Sequence, residues 1–183
     1  MKKLIIVIVS IVFVSLVAPN GYCAFFSSKP EIKYLLAVMP VENLSGDDNY
    51  NDLLASSSDI LFKNIYKKNK FRLIEMDKIG DIIGEDFVSN MLYNKDQYLK
   101  AVKSLGAEVL LYCSLRAVNV EKTSRGKNKI KVIVDARLVR LLNGEIICME
   151  NVIQVSKMKN LDISVPLNIA LKKLAKFIAR SAY

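Results

Sequence analysis

The sequence has 183 residues, with 27 lysines and arginines against 18 acidic residues, a formal net charge of +9, no histidine and no tryptophan. The absence of histidine excludes Ser-His-Asp and Cys-His nucleophilic catalysis and the common histidine-containing zinc sites. The basic residues are spread along the chain, so we interpret the charge as a solvated basic surface.

Residues 1–23 are predicted to be a secretory signal peptide. Two lysines precede an apolar run from Leu4 to Ala18, which is shorter than the roughly 20 apolar residues that a membrane-spanning helix needs. Cleavage after Cys23, cleavage after Ala24, lipidation of Cys23 and an uncleaved anchor are the alternatives. We expect an exported, periplasmic protein that contacts a membrane peripherally, at the outer membrane, only if Cys23 is lipidated. Export argues against nucleic acid as a partner of the basic surface.

Residues 24–33 are predicted to form a short tether, and residues 34–183 a single domain. The domain begins with a buried strand, a loop of turn-forming residues, an amphipathic helix and a second strand, at 34–41, 42–49, 50–65 and 71–75. A strand, a helix and a strand in this order predict parallel pairing with a right-handed crossover. Asp47, Asp48 or Asn49 is expected to cap the helix.

Two further helices, at 77–85 and 94–105, are predicted to precede three consecutive strands and a last helix. The strands are predicted at 108–120, 130–142 and 145–155. Alternating apolar residues predict the inward face of the first two strands. They are Val109, Leu111, Cys113, Leu115 and Ala117 in the first strand, and Ile130, Val132, Val134, Ala136 and Leu138 in the second. A polar turn joins the first two strands, and Asn143-Gly144 predicts a two-residue hairpin turn between the last two. Pro166 lies in the first turn of the last helix. The predicted fold is therefore α/β (α+β): a mixed five-stranded sheet in the order β-α-β-α-α-β-β-β-α, with helices packed on the sheet.

The three cysteines are too few for a disulfide scaffold. If the last three strands form a meander, the middle strand separates Cys113 from Cys148 by about 10 Å, which is too far for a disulfide. We therefore expect both to be free thiols buried in apolar surroundings. Cys113 lies in the middle of a strand on its apolar side, so it is expected to pack in the core rather than to act as a nucleophile.

The candidate catalytic and phosphate-binding groups have simpler structural interpretations. Asp47-Asp48 precedes a helix and is interpreted as a cap, and Glu85-Asp86 is interpreted as part of a solvated loop. Three serines at 56–58 lie inside an amphipathic helix, where small side chains allow close packing on the sheet. The sequence therefore predicts a protein that is not an enzyme and has no cofactor and no metal site.

Several segments occur in the order found in CsgG-like and TolB N-terminal-like domains of the bacterial cell envelope. They are LLAVMPVENLSGD at 35–47, FRLIEMDKIGDII at 71–83, AVKSLGAEVLLYCSL at 101–115 and VDARLVRLLNGEIICMEN at 134–151. The sequence resembles this family over nearly all of residues 34–183. It has no extra length for the membrane-spanning hairpins of the curli export channel in the family. The resemblance implies a non-enzymatic binding module of the cell envelope.

On this resemblance we expect a non-enzymatic envelope protein that binds protein partners and assists secretion or assembly, such as curli assembly, at the periplasmic side of the outer membrane. The alternatives are a regulator of a peptidoglycan synthase, like the LpoB activators, and a homo-oligomeric subunit of a ring-forming envelope structure. Partner contacts are expected in the loop after the first strand and at the tip of the first hairpin. The residues are Glu42, Asn43, Ser45, Tyr50, Lys122, Arg125 and Lys127.

Overall fold

The computed structural model describes residues 33–84 and 95–181. The predicted signal peptide, Cys23, the predicted tether up to residue 32 and the Glu85-Asp86 pair lie outside the described residues. Among the residues that are described, no helix is long and apolar enough to cross a membrane.

The described elements follow the predicted order, with one additional strand. The strands are β1 (Leu35–Val38), β2 (Glu42–Asn43), β3 (Arg72–Leu73), β4 (Val109–Lys122), β5 (Asn128–Arg140) and β6 (Ile146–Met158). The helices are α1 (Asn51–Tyr66), α2 (Met76–Ile83), α3 (Lys95–Ser104) and α4 (Ser164–Arg180), and a 3-10 turn at Asp48–Tyr50 precedes α1. The mixed α+β fold predicted from the sequence is confirmed.

All of these strands belong to one mixed sheet in the order β3-β1-β4-β5-β6, and β2 also pairs with β4. The first part of the sheet is parallel, because β1 lies between β3 and β4 and runs in the same direction as both. The second part is an antiparallel meander of β4, β5 and β6. The predicted parallel strand–helix–strand unit and the predicted meander are therefore both present.

The sheet has six strands rather than the predicted five, because the first predicted strand is interrupted. Pro40 has no N–H to donate to a neighbouring strand, and β1 ends at Val38. The chain then pairs again with the same neighbour, since Glu42 lies opposite Ser114 and Asn43 opposite Leu115. The result is a short sixth strand, β2, that extends β1 along β4.

The two faces of the sheet are covered by different pairs of helices. Buried side chains of α1 and α4 pack with alternate residues of β4 and β5, including Leu111, Val132 and Val134. A second, smaller cluster joins α2 and α3 to β1 and to the start of β4 around Tyr98 and Leu110. This second cluster contains no residue of β5 or β6 among the described residues. One face is thus covered across the meander, and the other is covered only over the parallel strands.

The turn between β5 and β6 is longer than predicted. The Arg140 N–H donates to the Glu145 carbonyl at 2.8 Å, and the Gly144 N–H donates to the Arg140 carbonyl at 2.9 Å, so four residues form the turn. The prediction of a two-residue Asn143-Gly144 turn is wrong, because the Leu141 N–H still donates to the Glu108 carbonyl next to β4. Gly144 closes the turn with a φ of +74°, which favours glycine.

The two described cysteines are free thiols, as predicted. β5 separates them, since Cys113 lies opposite Ala136 and Cys148 lies opposite Leu138. Cys113 is buried in the core, which confirms its predicted packing. Cys148 is only half-buried, and the prediction of burial is wrong for it because β6 lies at the margin of the sheet.

The serines of α1 contribute to its close packing on the sheet, as predicted for small residues. Ser57 and Ser58 are buried, whereas Ser56 is exposed. The Ser58 hydroxyl donates to the Leu54 carbonyl at 3.0 Å and accepts the Val41 N–H at 2.9 Å. The second bond links α1 to the chain between β1 and β2, where the Val41 N–H has left the ladder. Ser58 therefore satisfies a buried donor that the sheet does not.

We expect Ser58→Ala to lower the free energy of unfolding by about 1–3 kcal/mol, because it leaves the buried Val41 N–H without its acceptor. The Ser57 hydroxyl donates only to the Leu53 carbonyl of its own helix, so Ser57→Ala is a matched control that should change stability by less than about 0.5 kcal/mol. Urea unfolding of both variants measures the difference. Equal losses would contradict the role assigned to Ser58.

Candidate protein-interaction surface

The loop at 42–50 is held in one conformation by Asn43. The Asn43 Oδ1 accepts the Ser45 N–H at 3.1 Å and the Ser45 hydroxyl at 2.7 Å. Its Nδ2 donates to the Asp47 carbonyl at 2.9 Å and to the Asn51 Oδ1 at 2.7 Å. Two of the predicted partner-binding residues, Asn43 and Ser45, therefore use these side-chain groups to build the loop.

The other end of the loop is capped by Asp47, but the cap lies on the 3-10 turn before α1 and not, as predicted, on the helix itself. The N-cap residue of α1 is Tyr50, whose side chain makes no capping hydrogen bond. The Asp47 carboxylate accepts the Asn49 N–H at 3.0 Å and caps the 3-10 turn before α1. Burial, and after it the charge of Asp47, raises the pKa of Tyr50 above its usual value. Glu42 forms an ion pair with Lys95 of α3 at 2.7 Å. The loop thus presents a rigid polar surface at the carboxyl ends of β1 and β2.

The tip of the β4–β5 hairpin is the densest exposed basic feature. Lys122, Arg125 and Lys127 are all exposed there. Thr123 closes the tip, because its N–H donates to the Lys127 carbonyl at 2.8 Å and its hydroxyl accepts the Lys127 N–H at 3.1 Å. A closed turn holds the three cationic side chains on a fixed backbone rather than on a mobile loop.

The loop and the hairpin tip are separate surfaces. β2 ends opposite Leu115, and Lys122 lies seven residues further along β4, or about 23 Å at the usual rise per residue. The structure therefore does not bring the two groups of predicted partner-binding residues into one site. The surface of the sheet connects the two groups, and the sequence pattern does not predict that this surface is exposed.

That surface is the part of the meander that α2 and α3 leave uncovered, and we call it the open face. Its side chains lie on the side of the sheet away from α1 and α4. They are Arg116, Ala117, Asn119, Lys131, Ile133, Asp135, Asn151, Ile153 and Val155. Ile153 and Val155 are 52% and 44% exposed, and Ile133 beside them is half-buried. A group of exposed apolar side chains on a sheet surface, here on β6 and the neighbouring β5, is typical of an interaction surface.

A polar row crosses the open face next to these apolar side chains. The Asp135 carboxylate lies on the central strand and accepts hydrogen bonds from Arg116 on β4 and from the Asn151 amide on β6. With Lys129, Lys131, Lys157 and the three cationic residues of the hairpin tip, this part of the sheet carries seven basic groups. Among the described residues of this part of the sheet, Asp135 and Glu121 are the acidic ones, and Glu121 forms an ion pair with Lys129 at 2.9 Å.

The open face depends on a bulge in β4 that the sequence did not reveal. Leu115 pairs with Val134 but Ala117 pairs with Ile133, so Arg116 is an extra residue in its strand. The alternation that places Val109, Leu111 and Leu115 inward fails beyond this point, and the expected inward position of Ala117 is wrong. Val118 packs against the core instead, and Ala117 joins the open face.

Cys113 lies beneath this surface and is not suited to nucleophilic chemistry. Burial raises the pKa of the Cys113 thiol to about 12, with a smaller contribution from the charge of Asp135. The thiolate is the reactive form, so the folded protein holds this sulfur in its unreactive state at neutral pH.

Comparison with known proteins shows the fold. No family model and no curated protein matches the sequence. Lipoprotein GNA1162 from Neisseria meningitidis superposes with a TM-score of 0.51 at 20% identity, over 80% of this chain and 99% of that chain. A PelC dodecamer from Paraburkholderia phytofirmans gives a TM-score of 0.54 at 13% identity, over 78% and 85%. At these identities the likeness establishes a shared fold and nothing further.

The LpoB C-terminal domain from Salmonella enterica is more distant, with a TM-score of 0.49 at 16% identity, over 70% of this chain and 88% of that chain. The membership of a CsgG-like or TolB-like family that the sequence segments suggest is tested by none of these comparisons, and it stays a prediction.

We expect Cys148 to react with a thiol reagent in the folded mature protein at pH 8, and Cys113 to react only after unfolding, because its raised pKa and burial withhold the thiolate. Cys148→Ser should abolish the native-state reaction, and Cys113→Ser should leave it unchanged. A fast native reaction that persists in Cys148→Ser would contradict the burial of Cys113.

Proposed function

We propose that this protein is a non-enzymatic component of the cell envelope whose domain docks on a protein partner through the open face. The observation that carries the proposal is the open face itself, where half-exposed isoleucine and valine side chains lie beside basic groups on a rigid sheet. Interfaces commonly combine an apolar centre with a charged rim. The partner that fits has an acidic surface around an apolar patch.

The envelope location is supported by two independent features. The predicted signal peptide at 1–23 directs the chain to export. The fold is shared with a protein that is named as a lipoprotein, GNA1162. A role in secretion or assembly at the periplasmic side of the outer membrane is consistent with both, as is the resemblance to CsgG-like domains. The intact mass of the mature protein distinguishes a chain cleaved near Cys23 from one with an acylated Cys23.

A second candidate function is a subunit of a ring-forming envelope structure. It is favoured by the shared fold with PelC, which is described as a dodecamer. The measured molar mass of the purified mature protein separates the two candidates, because a ring contains many copies of the chain whereas a partner-binding module requires no ring of copies. The third alternative, a regulator of a peptidoglycan synthase, predicts that the captured partner is such an enzyme.

A photo-cross-linking side chain at Asn119, in the open face beside Lys131, is expected to capture an envelope protein in intact cells. The same side chain at Lys172, an exposed position of α4, is the control and should not capture it. Lys131→Glu should weaken the complex about tenfold, a loss of about 1.4 kcal/mol, because it opposes an acidic partner.

Lys172→Glu makes the same change of charge away from the open face and should leave the cross-linking yield from Asn119 unchanged. Equal capture from both positions, or a yield that does not respond to Lys131→Glu, would show that the open face is not the docking surface. Recovery of cytoplasmic proteins alone would overturn the envelope location.

A further inference from the structure

The outer edge of β6 is a long, unpaired strand edge. β6 runs for 13 residues at the end of the sheet, and within the described ranges it pairs with β5 alone. An edge of this length offers a row of N–H and C=O groups to another strand. Native proteins usually keep such an edge short or protect it.

The hydrogen bonds at both ends of β5 show which groups of β6 face outward. The backbone groups of Lys127 and Leu141, which flank β5, form hydrogen bonds toward β4. The backbone N–H and C=O groups of odd-numbered residues in β5 therefore point to β4, and those of even-numbered residues point to β6. Val134 pairs with Val152 and Val132 with Gln154. Because successive backbone groups alternate in direction, the odd-numbered residues from 149 to 157 direct their N–H and C=O groups to the free edge.

The usual protection of an edge strand is confined to the two ends of β6. A register shift lies between Leu138 and Val139, opposite the start of β6, and Lys157 stands near its end. Between them, the outward-bonding residues are Met149, Asn151, Ile153 and Val155, which carry no charge and include no proline. The Val155 carbonyl accepts the Gln154 side-chain amide of its own strand at 3.1 Å, but a carbonyl oxygen can accept two hydrogen bonds, so the centre of the edge stays open to strand addition.

A half-buried carboxylate on the other face of β6 indicates which strand is added. The Glu150 carboxylate forms no hydrogen bond and no ion pair with any described residue of its own chain, although the Glu150 backbone pairs with Ala136 of β5. Four residues along the same face, the Gln154 side chain accepts a hydrogen bond from the Lys173 ammonium of α4 at 2.8 Å. The strand thus carries a carboxylate without a partner on one side of Val152 and a cation on the other side.

We propose that two copies of this chain pair their β6 edges antiparallel around a two-fold axis at Val152. In this register Glu150 lies opposite the partner's Gln154, which places the carboxylate next to the ammonium of the partner's Lys173, and the contact occurs twice. Met149 lies opposite the partner's Val155 on the open face. An isologous pair of this kind closes on itself and adds no further copies.

The opposite strand direction does not fit the same charges. Parallel pairing in register places each Glu150 beside the partner's Glu150 and each Lys157 beside the partner's Lys157, and like charges directly opposite destabilise a strand pair. Antiparallel pairing separates these groups. The observations behind this proposal do not include the partner proposed for the open face.

The test is the concentration dependence of molar mass, measured by light scattering on the purified mature protein. We expect a dimer for the wild type, and dissociation constants at least about tenfold higher for Glu150→Lys and for Lys173→Glu, because each change opposes like charges. The double variant Glu150→Lys with Lys173→Glu should return to within about threefold of the wild type, since the pair is restored with exchanged signs. Lys172→Glu is the control and should not weaken the dimer.

Hydrogen exchange at the amides of β6 provides a second readout that does not depend on variants. In the dimer, the amides of Asn151, Ile153 and Val155 should exchange more slowly as the protein concentration rises. The amides of Val152 and Gln154 bond to β5 and should be protected at every concentration. A monomer at all concentrations, an assembly larger than a dimer, a dimer whose odd-numbered amides stay unprotected, or a double variant that stays dissociated would each overturn the proposal.

Discussion

The fold depends on β4, which joins the parallel part of the sheet to its antiparallel part. On one side it forms parallel ladders with β1 and β2, and on the other side an antiparallel ladder with β5. A parallel neighbour requires a crossover helix, which brings α1 onto one face, whereas an antiparallel neighbour requires only a turn. The parallel half is therefore covered by helices on both faces, and the meander has a helix-covered face and a bare one.

The bulge at Arg116 lies where the sheet changes from helix cover on both faces to helix cover on one face. Before it, alternate residues of β4 are buried under helices on both sides, as Leu110 and Leu111 show. Beyond it, the outward side chains of β4 meet those of β5 and β6, and the open face begins with the Arg116–Asp135–Asn151 row. An ion pair on a partly exposed sheet contributes little stability, so its role is to hold the cationic groups in place.

Local patterns in the sequence predicted those features that depend on neighbouring residues. The alternation of Ile130, Val132 and Val134 identified the covered face of β5, and Pro166 marked the start of α4. The four-residue turn before β6, the partial exposure of Cys148 and the position of Ala117 depend on which strand lies next to which residue. The amino-acid composition around a bulge does not reveal it, so the sequence predicts that side chains alternate regularly between the two faces through the bulge. The open face and the free edge follow from the strand order, which is a property of the whole chain.

The strand order also relates the two surfaces to each other. If the β6 edges pair around Val152, the open faces of both copies lie side by side on the same side of one continuous sheet. The apolar residues Ile153 and Val155 then lie near the two-fold axis, and the hairpin tips with Lys122 and Arg125 point in opposite directions. A partner that binds across this doubled face meets an apolar centre between two basic ends, so binding and pairing stabilise each other through shared surface.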